Sequence, residues 1–331
     1  MSLATLIYKK AFVKRYDDDH IIHYFSYRDF PGMEARRIQF KTPQDIAVRG
    51  YVYSYPDVFA RGSHQDELVV FCHGMGGGHR SYMREIETIC RRGYEVLAYD
   101  NVGCWESDGP DIRGLSESIN DLVSCMDWLA GEGGSEAGLK DRKLHIMGHS
   151  WGGFAAGNIL NFRKRNAVSV TVISSFVSID TFSDAGFGGK MKPLKRAIIR
   201  HERKINPGYA DACSVDAFKD TSVHCLILHS TDDNMADFST GLGYVRSHVD
   251  NPRVSYYETT GKYHNPNYTT DAVLYMRDTF AEYETMVGKK TLKTFEQKKE
   301  YMDGKDFLRM TEQDPEVWDL IFRNMEAGRE G

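Results

Sequence analysis

The sequence predicts an α/β protein: a doubly wound, mostly parallel sheet with a helical cap inserted ahead of the strand at Val223 to Leu228. Three observations carry this. Near-continuous apolar runs (Glu67 to Cys72, Tyr94 to Tyr99, Val168 to Ile173, Val223 to Leu228) recur between helical stretches, as buried parallel strands do. The stretch Lys143 to Gly157 reads as a strand, a sharp turn at Ser150 and a helix opening on small residues. Finally, about 45 residues separate the strand ending near Ser175 from the one starting near Ser222, more than a plain crossover needs.

Residues 1–34 are mixed and charged and read as an N-terminal extension whose apolar residues pack on the main domain. Asp17-Asp-Asp-His20 with His23 has metal-like residue types, but no third and fourth ligand cluster is visible, so a solvated segment is expected. Ala35 to Phe40 and Ala47 to Tyr53 alternate around the turn Thr42-Pro-Gln-Asp45, which predicts an edge hairpin. A polar loop, Arg61 to Asp66, precedes the Glu67 strand, which ends in His73-Gly-Met-Gly-Gly-Gly78. Glycines there let backbone N–H groups point into a cleft.

A helix follows from about Arg80 to Arg91, then the Tyr94 to Tyr99 strand and the loop Asp100 to Gly109. Leu115 to Leu129 has helical apolar spacing, and Gly131 to Gly138 reads as a loop. After the Ser150 turn, helices from about Asp237 to His248 and Thr269 to Val287 flank a strand at Arg253 to Tyr257. The core therefore spans 35–288. The insertion, 176–220, holds Phe182, Phe187, Met191 and Tyr209 beside Lys190, Lys192, Lys195, Arg196, Arg200, Arg203 and Lys204. Its basic run suits the solvated face of an amphipathic helix better than an anion site. Residues 289–331 form a charged tail, with Asp314-Pro315 starting a helix that docks through Val317, Trp318, Leu320, Ile321 and Phe322. No catalytic role is expected of it.

The chemistry follows from Gly148-His-Ser150-Trp-Gly152, a G-x-S-x-G turn. Such a turn exposes a serine Oγ at the start of a helix, and flanking glycines are needed where a Cβ would clash. A serine hydroxyl is a weak nucleophile. It requires a base, a carboxylate to orient that base, and donors for an oxyanion. Behind the Val223 strand come Asp232 and Asp233, either of which suits the carboxylate. Behind the last strand, Gly261-Lys-Tyr-His264 offers His264 as base. His149 and His229 compete for that role but sit where a structural part is expected. The N–H groups of Trp151 and Met75 are the expected oxyanion donors, with His73 bracing their loop.

These residues resemble the α/β-hydrolase superfamily over roughly 35–288, through His73-Gly74, the Ser150 motif, the aspartate after Leu228 and Gly261-x-x-His264. The family's usual G-x-x-D implies Asp233 rather than Asp232, with Ser230 in the glycine's place. Asp100-x-x-Gly103-x-x-x-Ser107-Asp-Gly109 is similar to a family loop but carries Trp105 where a second glycine is usual. The resemblance leans toward bacterial intracellular esterases and lipases of the monoacylglycerol-lipase and cinnamoyl-esterase kind. It implies ester hydrolysis through an acyl-enzyme on Ser150, with no metal or organic cofactor. An acyltransferase or acyl thioesterase on the same residues is the first alternative, and a non-catalytic small-ligand binding protein the second.

Net charge is −5, which argues against a nucleic-acid partner. No run of 18 apolar residues exists, so no membrane span is expected. The first residues lack secretory-signal features, and six scattered cysteines suit free thiols, together predicting a cytoplasmic protein. The expected partner is a small-molecule acyl substrate. Nothing in the sequence fixes the oligomeric state, and a homodimer is compatible with it.

Overall fold

The computed structural model describes residues 3–187 and 192–330. Eight strands form one sheet: β1 (Glu34–Lys41), β2 (Ala47–Ser54), β3 (Glu67–Cys72), β4 (Val96–Tyr99), β5 (Lys143–His149), β6 (Ala167–Ile173), β7 (His224–Ser230) and β8 (Val254–Thr259). Their spatial order is β1-β2-β4-β3-β5-β6-β7-β8. The β1–β2 and β2–β4 pairs are antiparallel, and all others are parallel. The predicted edge hairpin is present, with Glu34 opposite Ser54 and Asp45 in its turn at φ 62°.

Alternation within the apolar strands divides the core into two layers. Leu68, Val70 and Cys72 join a cluster on one face, and Val69 and Phe71 join the other. On the first face lie α4 (Glu117–Ala130) and α6 (Trp151–Asn158). On the second lie α3 (Met83–Arg91) and α14 (Pro315–Glu330).

The tail is thus a full layer of the fold. In α14, Val317, Trp318, Ile321, Phe322 and Met325 are buried, while Leu320 is only half-buried. At about 1.5–3 kcal/mol per large apolar side chain, this helix carries a share comparable to the whole net stability of a domain. A Cβ on Gly328 would lie 2.3 Å from the Val168 carbonyl oxygen, so the helix rests directly on β6.

Other elements complete the path. They are α1 (Leu3–Phe12), α2 (Pro56–Arg61), α5 (Glu132–Glu136), α7 (Ile179–Phe187), α8 (Lys192–Ile205), α9 (Ser214–Lys219), α10 (Leu242–His248), α11 (Thr270–Gly288), α12 (Phe295–Asp303) and α13 (Phe307–Met310). Some depart from the expected pattern. The charged N-terminus holds α1, whose Tyr8 is buried where α1 meets α8. The expected loop at Gly131 to Gly138 contains α5. The helix expected from Asp237 is a 3-10 turn, Phe238–Thr240, followed by α10.

Between β6 and β7 the insertion is helical. Arg196, Arg200, Arg203 and Lys204 lie on its exposed face, and Ile198 and Glu202 on its buried one. Lys195 pairs with Asp180 and Asp184, and Arg203 with Asp211. Lys190 and Met191 lie outside the described residues, as do the side chains of Phe187 and Lys192. Among the described residues, no helix is long and apolar enough to cross a membrane.

Candidate active site

Ser150 sits between β5 and α6 at φ 56° and ψ −120°. An L-residue rarely adopts this conformation, and the surrounding packing must impose it. The neighbours do so by being small. A Cβ on Gly148 would meet the Gly152 carbonyl oxygen at 2.2 Å, and one on Gly152 would meet the Cys72 carbonyl oxygen at 2.1 Å. The Ser150 N–H donates to the Ile173 carbonyl at 2.8 Å, and Ser175 Oγ donates to the Ser150 carbonyl at 2.7 Å.

The loop after β3 lies against this turn. A Cβ on Gly74 would come within 3.3 Å of Ser150 Cβ and 2.6 Å of Tyr82 Oη, so a side chain there would have to displace the tyrosine hydroxyl. His73 braces the loop: its Nδ1 lies 2.8 Å from the Gly74 carbonyl, and its Nε2 accepts from the Asn101 N–H at 2.9 Å. Burial holds His73 below its ordinary pKa, consistent with a neutral ring donating through Nδ1. Among the described residues, neither the Met75 nor the Trp151 N–H donates to another backbone group.

Asp233 follows β7 and is almost fully buried. Its Oδ2 faces His264 Nδ1 at 2.8 Å and His229 Nε2 at 3.1 Å, while Oδ1 accepts from the N–H groups of Met235 and Ala236, both at 2.9 Å. Burial alone would raise the Asp233 pKa, but the bonds from His229 and His264 outweigh it and hold the carboxyl well below the usual range. His229 Nε2 also lies 2.8 Å from the Ala236 carbonyl, so that nitrogen carries its proton toward two acceptors.

The adjacent Asp232 does something different. It accepts from the backbone N–H of Gly261 at 3.0 Å and of Tyr263 at 3.3 Å, so it holds the loop that carries His264 rather than the imidazole.

Those distances put Asp233, the aspartate that the G-x-x-D resemblance selects, against His264, and Asp232 against the loop backbone. His264 is brought to the elbow by His149, whose Nε2 donates to the His264 main-chain carbonyl at 2.8 Å. The two imidazole rings are 4.6 Å apart.

A family model for the α/β hydrolase fold matches residues 67–194. An esterase of Pyrococcus furiosus superposes with a TM-score of 0.56 at 18% identity, covering 84% of this chain and 97% of that one. The chain has the α/β-hydrolase fold. Among curated relatives, a proline iminopeptidase of Lactobacillus helveticus is 29% identical over 161 residues, 48% of this chain and 52% of the relative. The dihydrolipoyllysine-residue acetyltransferase component of an acetoin-cleaving system from Cupriavidus necator is 28% identical over 201 residues, 59% of this chain and 47% of the relative. The chain spans about half the length of these curated relatives.

Two residues beside these loops had no role assigned to them in the sequence. Tyr82 Oη accepts from the Gly74 N–H at 3.0 Å and faces His149 Nδ1 at 2.8 Å. With His149 Nε2 donating to His264, Nδ1 is left to accept, so the Tyr82 hydroxyl donates to it. A continuous chain of hydrogen bonds thus links the β3 loop to the His264 loop. Its only sequence signal was a histidine inside the serine motif. Trp105 has φ 38°. A Cβ on Gly78 would lie 2.5 Å from its indole, and Tyr24 packs on the same ring at 5.0 Å.

Proposed function

We propose that the chain is a serine hydrolase that cleaves a carboxylic ester of a small or medium acyl group through an acyl-enzyme on Ser150. The observation that carries this reading is the Asp233–His264 hydrogen bond, on a loop tied to the residue before Ser150. In this reading Asp233 holds the proton on Nδ1, which leaves Nε2 as the base. His264 takes the Ser150 proton as Oγ attacks the acyl carbon, then returns it to the leaving group. The Met75 and Trp151 N–H groups receive the oxyanion. Water, deprotonated by His264, releases the acid and restores Ser150.

The insertion is read as a cap. Glu202 of α8 accepts from the N–H groups of Leu115, at 2.6 Å, and Ser116, at 3.2 Å, and the Leu115 carbonyl in turn accepts from Trp151 Nε1 at 2.6 Å. Phe176 stacks on Phe154 at 4.7 Å and meets Phe182 at 4.5 Å, an aromatic row that packs the start of the insertion on α6. Six free cysteines, five of them buried, suit a reducing cytoplasm.

A peptidase releasing an N-terminal residue is the second reading, favoured by the proline iminopeptidases among the relatives. A panel of p-nitrophenyl esters, acyl thioesters and a prolyl arylamide separates the readings. Ester turnover that falls at least about 10³-fold in Ser150→Ala supports the first. Turnover of the prolyl amide alone supports the second, and thioester preference supports a thioesterase. A folded wild type that turns over none of them contradicts both readings.

A further inference from the structure

We infer that the start of the C-terminal helical segment, Glu312 to Trp318, is a positioning element for the loop that carries His264. This rests on the proposed role of His264. The loop runs from the end of β8 to α11 and turns through two positive-φ residues: Gly261 at 79°, which glycine adopts freely, and Tyr263 at 46°, which is strained. A left-handed tyrosine next to Lys262 relaxes unless its surroundings hold it.

The segment supplies that hold at four points. Lys262 Nζ donates to the Asp314 carboxylate, in a pair whose lysine side chain is only 7% exposed. The Asp314 N–H donates to the Asn267 carbonyl at 2.9 Å. Asn267 Nδ2 donates to Gln313 Oε1 at 3.0 Å, and Trp318 Nε1 donates to the same oxygen at 2.8 Å. The Thr269 N–H donates to the Glu312 carbonyl at 3.0 Å. Asp232 holds the same loop from the sheet side, and His149 holds His264 itself.

The geometry has a directional consequence. Lys262 lies two residues before His264 and Asn267 three residues after it, so the segment grips both sides of the imidazole. The ion pair is largely withdrawn from water, so breaking it by removing one partner leaves a charge without compensation. Displacement of the loop would misplace the base while leaving substrate contacts elsewhere intact. Such misplacement acts on kcat more than on KM.

The test uses the full chain, because α14 is a structural layer and cannot be deleted. Asp314→Asn, Asp314→Glu and the exchanged pair Lys262→Asp/Asp314→Lys are compared for p-nitrophenyl butyrate turnover, melting temperature and amide hydrogen exchange over 259–269. Asp314→Asn is expected to lower kcat about 10- to 100-fold, with KM within about threefold of wild type. Asp314→Glu is expected to recover most of it, and the exchanged pair less, because it removes the Asp314 Oδ1 that accepts from the Glu316 N–H at the start of α14. Exchange at Gly261 to Thr269 is expected to quicken in Asp314→Asn. An Asp314→Asn kcat within about twofold of wild type, or a loss explained by the unfolded fraction alone, overturns the inference. Should the wild type hydrolyse nothing, the exchange data decide the brace independently: unchanged protection in Asp314→Asn overturns it, and lost protection leaves only the hydrolase reading to fall.

Discussion

His149 Nε2 donates to the main-chain carbonyl of His264 at 2.8 Å, so the residue before the proposed nucleophile holds the backbone of its proposed base. Replacing it with phenylalanine keeps a ring but leaves the Tyr82 hydroxyl and the His264 carbonyl without this partner. The expected cost is about 1–3 kcal/mol of stability. The expected fall in kcat is about 10- to 100-fold.

His149 also carries a pH signature. Burial, helped by the neighbouring His264, pushes its pKa from 6.5 down to about 3. The folded state therefore resists protonating it. Its contribution to stability is complete above pH 6.5 and is lost as pH falls toward 3. The stability advantage of wild type over His149→Phe should shrink between pH 7 and pH 4 in urea unfolding. A constant difference would contradict a neutral, doubly bonded His149.

The two aspartates after β7 should separate cleanly. Asp233→Asn replaces an acceptor of two imidazole N–H groups with an amide that donates, and kcat should fall about 10⁴-fold. Asp232→Asn retains an oxygen for one loop N–H and touches neither imidazole, so its kcat loss should stay below about tenfold. Steady-state kinetics of both variants check this. Equal losses would reassign the acid.

Glu85, at the start of α3, is buried beside Tyr268 and Asn267, whose Nδ2 lies 3.4 Å from Oε1. Burial pushes its pKa from 4.5 up to about 7. The folded state holds this proton more tightly than the unfolded one, so stability falls as pH rises from 4.5 through 7. Glu85→Gln removes the charge while keeping the shape. It should raise the melting temperature at pH 8 and leave it nearly unchanged at pH 4.5. A variant destabilised equally at both values would contradict a protonated carboxyl.

Much of this arrangement could be read in advance because its causes are local. Ser150 needs a left-handed backbone, which demands small neighbours, and Gly148, Gly152 and Gly153 stand within three residues of it. The buried strands were legible from apolar runs that serve two layers at once, as Leu68 and Val69 do. What was not legible depends on long-range contact. The helix at Leu3–Phe12 is short and forms against α8, a partner nearly 200 residues on. The Lys262–Asp314 pair joins residues of ordinary surface type, and only the fold brings them together. Tyr82 reads as one more aromatic on a helix until His149 is seen beside it.

The most direct measurement is intact mass after exposure to a fluorophosphonate, for wild type and Ser150→Ala. The account predicts one adduct on the wild type, mapped to Ser150, and none on the variant. A well-folded wild type that takes no adduct, or an adduct that persists in Ser150→Ala, would contradict an activated Ser150 and with it the proposed hydrolase.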